Sequence, residues 1–370
     1  MKIGITGANG FVAWHLRCYL KSLGDVVSEL RLADRGTFSA KADLQNFVNG
    51  LDFIVHLAGV NRAVDDELMQ GNLQPARQLI EALTATGSAA CVLYSSTTHA
   101  IEPSTVYGQV KQGVSNILRD WADAAGGRFI NLIIPHVFGE YGKPFYNSGV
   151  ATFCHQIVHG ESPEVNPNGM LELVHVQDLV EQMLDLCQQG GSGDYRIEGQ
   201  SISVPDVVKK LESFRDDYLQ KRQFPDLSDA FTRKLFNTFR SYIDYPDREC
   251  ATVQHTDNRG WLVETVKTGS GGQCFVSSTH PGIMRGNHFH RRKVERFFVL
   301  QGKAEIKLRK LFGSEVISYR LDGDKPGFVD IPTLHTHNIT NIGDNELITL
   351  FWADEFYDPE KPDTFFEEVE

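Results

Sequence analysis

The fold is decided near the N-terminus, where residues 2–14 read KIGITGANGFVAW. Residues 2–6 have the pattern of a buried strand, and apolar residues at helical spacing begin at Phe11. Gly7 allows a tight turn between the two elements, and Gly10 lets the main chain approach a pyrophosphate at the helix N-terminus. The stretch therefore predicts a dinucleotide-binding loop, although a structural turn without a ligand remains an alternative at this point.

Strand-like and helical patterns alternate through the first half of the chain. Strand patterns occur at residues 53–57, 90–94 and 129–134, with amphipathic helical patterns at 73–86 and 106–124. Such alternation predicts an α/β Rossmann-type fold, a doubly wound parallel sheet with helices on both faces. Ligands of these sheets bind at the carboxyl ends of the strands.

Composition excludes several classes of function. The 370 residues carry a net charge of −12, which argues against a nucleic-acid partner because phosphate contacts need clustered lysine and arginine. No apolar run approaches the length needed to span a membrane. The chain begins with a strand pattern rather than a signal peptide, and its six cysteines are scattered. We therefore expect a soluble cytoplasmic protein with reduced thiols.

A tyrosine and a lysine lie four residues apart, at Tyr107 and Lys111, and would share one face of a helix. A buried or cationic neighbour can move the pKa of a phenol, so the ammonium could lower the pKa of Tyr107 and suit it to proton transfer to a ketone. Such a pair taken alone usually lies on a solvated surface. Here it follows the hydroxyl-rich residues 95–98, which end a predicted strand.

Together with residues 52–59 (DFIVHLAG) and Asn72, these motifs resemble the extended, sugar-nucleotide branch of the short-chain dehydrogenase/reductases. The resemblance implies that Thr97 orients the carbonyl with Ser96 beside it. It also implies that Tyr107 is the acid/base and that Lys111 binds the ribose and tunes Tyr107. The cofactor contacts implied are Gly7, Asn9, Gly10, Phe11, Val12, Arg35, Leu57, Ala58, Tyr107 and Lys111.

The same resemblance predicts a substrate loop. Residues 135–139 (PHVFG) match the branch, except that His136 stands where Asn is usual. Lys143, Tyr146 and Asn147 follow and are candidate diphosphate and sugar contacts, although each could equally be a surface residue. Dehydratases of the branch carry Asp-Glu after the hydroxyl residue. Since this chain has residues 98–99 (TH) there, reduction or epimerisation is favoured over dehydration.

The end of the second predicted strand bears on the choice of nicotinamide cofactor. An aspartate there would bond the ribose hydroxyls of NAD, whereas an arginine would accept the extra phosphate of NADP. Asp34 lies between Arg31 and Arg35, and the two arginines favour NADPH.

The second half of the sequence predicts a different fold. Residues 201–245 read as helical and polar, and short strands separated by turns follow. We place the boundary near residue 246, with a reductase domain at 1–245 and an all-β cupin (jelly-roll) barrel at 246–370. Residues 257–264 resemble the opening strand region of nucleotide-linked keto-sugar epimerases of the cupin class.

The first cupin motif is complete between Gly282 and Gly302, including a pair of histidines two residues apart on one strand face. Three imidazoles and one carboxylate suit zinc or another divalent transition metal. A metal-free cupin that uses a histidine as base remains an alternative. The second motif, at residues 332–341, has Leu334 where glycine is usual. The predicted metal ligands are His288, His290, Glu295 and His337.

From end to end the chain resembles the bifunctional capsular-polysaccharide enzymes of UDP-N-acetyl-L-fucosamine synthesis, of the CapF/WbjC type, including the tail at residues 362–364 (PDT). The resemblance implies C3 epimerisation of UDP-2-acetamido-2,6-dideoxy-hexos-4-ulose in the cupin. NADPH-dependent reduction at C4 would then give UDP-2-acetamido-2,6-dideoxy-L-talose, and we expect a homodimer. The alternative is a mono-functional 4-reductase or 4-epimerase whose cupin only binds sugar or holds a dimer.

Overall fold

The structure is a computed structural model that describes residues 1–252, 254–257, 260–263, 265–268, 272–355 and 358–370. Residues 258, 259 and 264, within the stretch compared above with keto-sugar epimerases, lie outside the described residues. The chain forms two compact units. The first contains Met1–Thr152 and Asn166–Pro205, and the second contains Phe153–Val165 and Asp206–Glu370.

The first unit is built on a parallel sheet. Its strands are β1 (Lys2–Thr6), β2 (Glu29–Ala33), β3 (Phe53–His56), β4 (Cys91–Thr97), β5 (Phe129–Ile134), β6 (His136–Phe138), β7 (Met170–His175), β8 (Gly193–Arg196) and β9 (Gln200–Ser203). Six of them form a parallel sheet in the order β2-β1-β3-β4-β5-β8, and β6-β7-β9 form a smaller mixed sheet. This order confirms the predicted Rossmann-type fold, because β2 lies on one side of β1 and the strands from β3 onward lie on its other side.

Nine α-helices lie in the described residues, and none of these is both long enough and apolar enough to cross a bilayer. They are α1 (Phe11–Ser22), α2 (Arg35–Ser39), α3 (Lys41–Val48), α4 (Asp65–Thr86), α5 (Val106–Ala125), α6 (Gly149–Val158), α7 (Val176–Gln189), α8 (Val204–Phe214) and α9 (Ala230–Arg240).

Alternating strand residues build a separate apolar core on each face of the parallel sheet. One core joins Ile3 and Leu93 to residues of α1 and α7 such as Leu179. The other joins Ile54 to residues of α3, α4 and α5 such as Leu118. Helices therefore pack on both faces, and in sheets of this kind a ligand binds at the carboxyl ends of the strands.

The second unit is mostly antiparallel sheet. Its strands are β10 (Gln223–Phe224), β11 (Glu249–Ala251), β12 (Gln254–Asp257), β13 (Gly260–Val263), β14 (Lys267–Thr268), β15 (Gln273–Thr279), β16 (Met284–Phe289), β17 (Glu295–Gln301), β18 (Lys303–Lys310), β19 (Val316–Asp322), β20 (Gly327–Ile331), β21 (His335–Asn341), β22 (Leu347–Ala353) and β23 (Phe365–Phe366). Two five-stranded sheets, β11-β20-β17-β22-β15 and β19-β18-β21-β16-β23, enclose a core that includes Phe297, Ile306 and Ile339. The predicted all-β fold of this half is thus confirmed.

Helical residues before the β-strands belong to the second compact unit. Phe224 stacks on Trp352 with ring centroids 4.4 Å apart, and a guanidinium nitrogen of Arg240 donates to the carbonyl of Ile331. Residues 206–245 thus contact the β-strands of the second unit through an aromatic and a polar side chain. The domain boundary near residue 246 stays a prediction.

A buried ion pair between Arg296 of β17 and Asp330 of β20 lies beside these contacts. The Arg296 guanidinium bonds both carboxylate oxygens of Asp330, at 2.7 and 3.1 Å, and Tyr218 donates its hydroxyl to the same carboxylate. The guanidinium lies 4.7 Å from the ring centroid of Phe224 and 3.7 Å from that of Phe328. Burial alone would raise the pKa of Asp330, but the charge of Arg296 outweighs it and holds that pKa below its usual range.

Removing one partner of this pair is expected to be costly because a charge would stay buried without compensation. We expect Asp330→Ala to lower the free energy of unfolding of the second unit by about 3–5 kcal/mol. The control Arg320→Ala removes an exposed ion pair with Glu305 and should cost at most about 1 kcal/mol. Hydrogen exchange of the β17 and β20 amides measures both values, and equal protection in the two variants would contradict the prediction.

Candidate functional site

The glycine loop after β1 has the geometry that the sequence predicted. Gly7 has φ +67°, and a Cβ atom there would lie 2.8 Å from the backbone nitrogen of Ala58. The Gly10 N–H donates to the Gly7 carbonyl at 2.9 Å, and within the described chain no side chain caps the helix that begins at Phe11. Asn9 and Gly10 are exposed, so the first amides of α1 are open to an anion.

The main chain after β3 closes one side of this loop. The amides of Leu57 and Ala58 both donate to Thr6 Oγ1 at 3.2 Å, so these two N–H groups are already engaged. Asn72 holds the following residues in place by donating to the carbonyl of Val60 at 2.8 Å. Any cofactor contact at residues 57–58 would therefore involve groups other than these amides.

Arg31 does not contribute to a cofactor phosphate site, which corrects one basis of the NADPH prediction. Its Nη1 donates to three carbonyls at the end of α3, including that of Asn49 at 2.6 Å, and its Nε bonds Glu29. Asp34 is also committed, because its carboxylate accepts from the Thr37 N–H and caps α2. Of Arg31, Asp34 and Arg35, Arg35 is the one that is exposed and makes no side-chain hydrogen bond within the described residues.

Tyr107 lies in the first turn of α5, and its hydroxyl donates to Asn61 Oδ1 at 3.4 Å. Burial raises the pKa of Tyr107 to about 12. This direction is opposite to the expected lowering by Lys111. The phenol is therefore protonated at neutral pH, which is the state needed to donate a proton.

Lys111 is buried one turn further along α5, with its Nζ 4.5 Å from the ring centroid of Tyr94. Burial lowers the pKa of Lys111 to about 7 because the ammonium loses its hydration. Burial and the neighbouring charge of Lys111 lower the pKa of His56 to about 3, so this histidine is neutral. Its Nδ1 is 2.8 Å from Thr6 Oγ1.

The hydroxyl residues end β4 beside the same helix. Ser96 and Thr97 are buried, and Thr97 Oγ1 accepts from the His99 N–H at 3.4 Å. The ring of His99 lies 6.3 Å from that of Tyr107 and 6.2 Å from that of His136. His99 is therefore a common neighbour of Thr97, Tyr107 and His136.

Lys143, Tyr146 and Asn147 are exposed on the loop between β6 and α6. The Nζ of Lys143 lies 5.4 Å from the ring centroid of Tyr146, so these two side chains are neighbours. Their assignment as substrate contacts stays a prediction.

The four predicted metal ligands converge in the second unit. One ligand atom from each of His288, His290, Glu295 and His337 lies within 4.8 Å of the others. Oε2 of Glu295 is 2.7 Å from Nε2 of His290 and 3.5 Å from Nε2 of His337. Apart from one another, these three buried atoms have no hydrogen-bond partner in the part of the chain that the structure describes.

Main-chain carbonyls hold the outer nitrogens of two of these imidazoles. Nδ1 of His337 lies 3.3 Å from the carbonyl of His335, and Nδ1 of His290 bonds the carbonyl of Asp363. A carbonyl only accepts, so each Nδ1 carries a hydrogen, and each Nε2 faces the cluster, where its neutral form can offer a lone pair to a metal ion. Burial opposes the charge of His290, but the neighbouring Glu295 outweighs it and raises the pKa of His290. Burial opposes the charge of Glu295, but His290 and His337 outweigh it and hold its pKa well below its usual range.

The turn before His337 keeps the backbone conformation of a glycine although the residue is Leu334, which has φ +59°. Its side chain is buried, and its N–H donates to the carbonyl of His290 at 2.8 Å. Burial and this hydrogen bond maintain the turn in spite of the substitution noted in the sequence.

Three neighbours of the first site were missed in the sequence. Asn61 bonds the Tyr107 hydroxyl, Tyr94 carries the ring beside Lys111, and His99 joins the hydroxyl residues to His136. The position of His99 directly after β4 offered a signal, because strand ends meet at the ligand edge of a parallel sheet.

Comparison with known proteins finds two family matches, one in each half of the chain. Residues 3–197 match the NAD dependent epimerase/dehydratase family, and residues 255–365 match the polysaccharide biosynthesis C-terminal domain. The spore coat polysaccharide biosynthesis protein SpsL of Bacillus subtilis is 26% identical over 121 residues, covering 30% of this chain and 80% of SpsL.

Two relatives match over the whole length. The UDP-2-acetamido-2,6-beta-L-arabino-hexul-4-ose reductase of Pseudomonas aeruginosa is 32% identical, covering 99% of this chain and 98% of that protein. The crystal structure of the capsular polysaccharide assembling protein CapF from Staphylococcus aureus is 34% identical, covers 100% of both chains and superposes with a TM-score of 0.65. The chain therefore belongs to the NAD dependent epimerase/dehydratase family, in the CapF-type group that carries a polysaccharide biosynthesis C-terminal domain.

Proposed function

We propose that this chain is a bifunctional sugar-nucleotide enzyme that epimerises C3 of a UDP-linked 4-keto sugar and then reduces C4 with NADPH. The observation that carries the proposal is the presence of two constellations in one chain. One is the Tyr107–Lys111 helix face beside a glycine loop, and the other is a buried cluster of three histidines and Glu295. A 4-keto sugar serves both, because its carbonyl accepts hydride and acidifies the C3 proton.

The first unit supports the reductive step. Tyr107, with a pKa of about 12, would donate the phenolic proton to the C4 oxygen as C4 gains hydride. Thr97 would orient the carbonyl beside Ser96, and Lys111 would bind the ribose. The products are a C4 alcohol and the oxidised cofactor, and the phenolate regains its proton from solvent.

NADPH would supply the hydride. We propose that its pyrophosphate binds at the N-terminus of α1, which begins after Gly10, and that the exposed Arg35 after β2 binds the 2′-phosphate. The remaining contacts proposed for the cofactor and the sugar are those predicted from the sequence.

The second unit supports the epimerisation. His288, His290, Glu295 and His337 fit a divalent metal, with zinc the best match to the donor set. Such an ion would act as a Lewis acid toward the substrate oxygens. Epimerisation removes the C3 proton and returns one to the opposite face, so it needs neither oxidant nor reductant.

The substrate follows from the relatives. The name of the Pseudomonas aeruginosa relative specifies UDP-2-acetamido-2,6-beta-L-arabino-hexul-4-ose. We propose the corresponding 4-keto sugar here, with UDP-2-acetamido-2,6-dideoxy-L-talose as product, for capsule or O-antigen N-acetyl-L-fucosamine synthesis. A cytoplasmic homodimer would act on this free nucleotide sugar, with neither a nucleic acid nor a membrane as partner.

Tyr107→Phe tests the reductive assignment. Loss of the proton donor should lower the rate of NADPH oxidation about 100-fold or more, since general acid catalysis contributes about 10²–10⁴. Exchange of the C3 proton should remain, because it belongs to the other unit. The control Tyr195→Phe removes a phenol of strand β8 and should leave both rates unchanged. Near-normal reduction by Tyr107→Phe would show that another group donates the proton.

The pKa of Lys111 predicts a pH dependence for cofactor binding. The free protein loses the Lys111 proton as pH rises through about 7, and the anionic cofactor binds the charged form better. Binding should therefore take up a proton, and NADPH affinity should fall above about pH 7, by at most about tenfold per pH unit. Fluorescence titration should show this fall in the wild type but not in Lys111→Met. An equal fall in both proteins would contradict the assignment.

Metal content tests the second constellation. Purified protein should contain about one transition-metal ion per chain, and His288→Ala/His290→Ala should lose it, since removing a ligand weakens binding by orders of magnitude. His280→Ala changes an exposed histidine and is the matched control. Elemental analysis gives the stoichiometry. Full metal content in the double variant would identify the cluster as an ordinary polar core.

A further inference from the structure

The carboxylate of Asp363 closes the turn that joins two of the predicted metal ligands. It is buried and accepts hydrogen bonds from the consecutive amides of residues 291–293, at 3.3, 2.9 and 3.0 Å. These amides form a concave donor group of the kind that binds anions. The turn they belong to runs from His290, directly after β16, to Glu295 at the start of β17, so the Asp363 carboxylate is bonded to the segment that joins those two ligands.

The main chain of Asp363 contacts the ligand itself. Its carbonyl accepts from Nδ1 of His290, which turns Nε2 of that ring toward Glu295. Asp363 adopts the left-handed conformation, with φ +44°, which aspartate tolerates better than most residues. One residue thus orients an imidazole through its carbonyl and anchors the adjoining turn through its side chain.

Residues 361–370, here called the C-terminal strap, hold Asp363 in this place. Lys293 donates its Nζ to the carbonyl of Pro362 at 3.0 Å, and β23 pairs with β16 beside His288. Further on, Val369 is buried and its carbonyl accepts from Arg309 Nε at 2.7 Å. The strap is therefore fixed on both sides of Asp363, and the contacts with Lys293 and Arg309 involve none of the four predicted ligands.

We propose that Asp363 is a positioning residue for the metal centre, acting through His290 and the 291–293 turn from a strap that lies about 70 residues away in sequence. The inference rests on the proposed metal site. It gives a role to residues 362–364, which the sequence singled out and the proposed reactions do not use. A tail that served only to stabilise the sheet would instead affect folding without changing the metal environment.

The test uses the full-length chain stripped of metal, with zinc and cobalt as probes. Asp363→Ala should raise the Kd for Zn²⁺ about 10–100-fold, in the range typical of residues that orient ligands. It should also change the visible absorption spectrum of the Co²⁺-loaded protein, which reports the geometry of the ligands. Asp363→Asn keeps an oxygen acceptor of the same size and should restore part of the affinity.

Glu370→Ala is the matched control, because it removes an exposed ion pair with Lys307 at the far end of the strap. It should leave the Kd and the Co²⁺ spectrum unchanged. A folded Asp363→Ala protein with wild-type Kd and spectrum would overturn the proposal. If Asp363→Ala does not fold, Asp363→Asn decides, and wild-type values in that variant overturn it equally. A wild-type chain that binds neither ion would instead remove the metal proposal itself.

Discussion

In each candidate site two backbone segments approach each other so closely that only glycine fits at the contact. At Gly7 a Cβ atom would lie 2.8 Å from the backbone of Ala58, and at Gly286 it would lie 2.8 Å from the carbonyl of His337. Both glycines have positive φ, so a side chain would be strained as well as crowded. The first contact closes the loop that faces the helix α1 amides, and the second keeps β16 against β21, which carry His288 and His337.

Burial then sets the charge state of each site. In the first unit it raises the pKa of Tyr107, which keeps the phenol protonated, and lowers the pKa of Lys111 to about 7, near neutral pH. In the second unit burial disfavours the charge of Glu295, but the imidazoles hold the carboxylate ionised. The first environment suits proton donation to a ketone, and the second brings a carboxylate oxygen together with imidazole nitrogens, which are donor types that zinc takes.

The sequence predicted the fold class because periodicity indicates strands and helices. It predicted the grouping of the cupin ligands because the cupin motifs have a recognisable spacing. It predicted α4 only from residue 73, whereas the helix begins at Asp65, since its first turns are polar and Pro75 lies inside it. Arg31 was misread because its carbonyl partners on α3 come from the fold. Asp363 was noted only as part of a motif, because nothing in local sequence brings a tail to His290.

The central claim is that one chain carries out two separable reactions on one keto sugar. The most direct measurement is incubation of the wild-type chain with the UDP-linked 4-keto sugar in heavy water without NADPH, followed by NMR of the sugar. The account predicts deuterium at C3 with the ketone intact, and reduction at C4 only after NADPH is added. Absence of deuterium at C3 in both conditions, with normal reduction, would contradict the account and leave the second unit without a catalytic step.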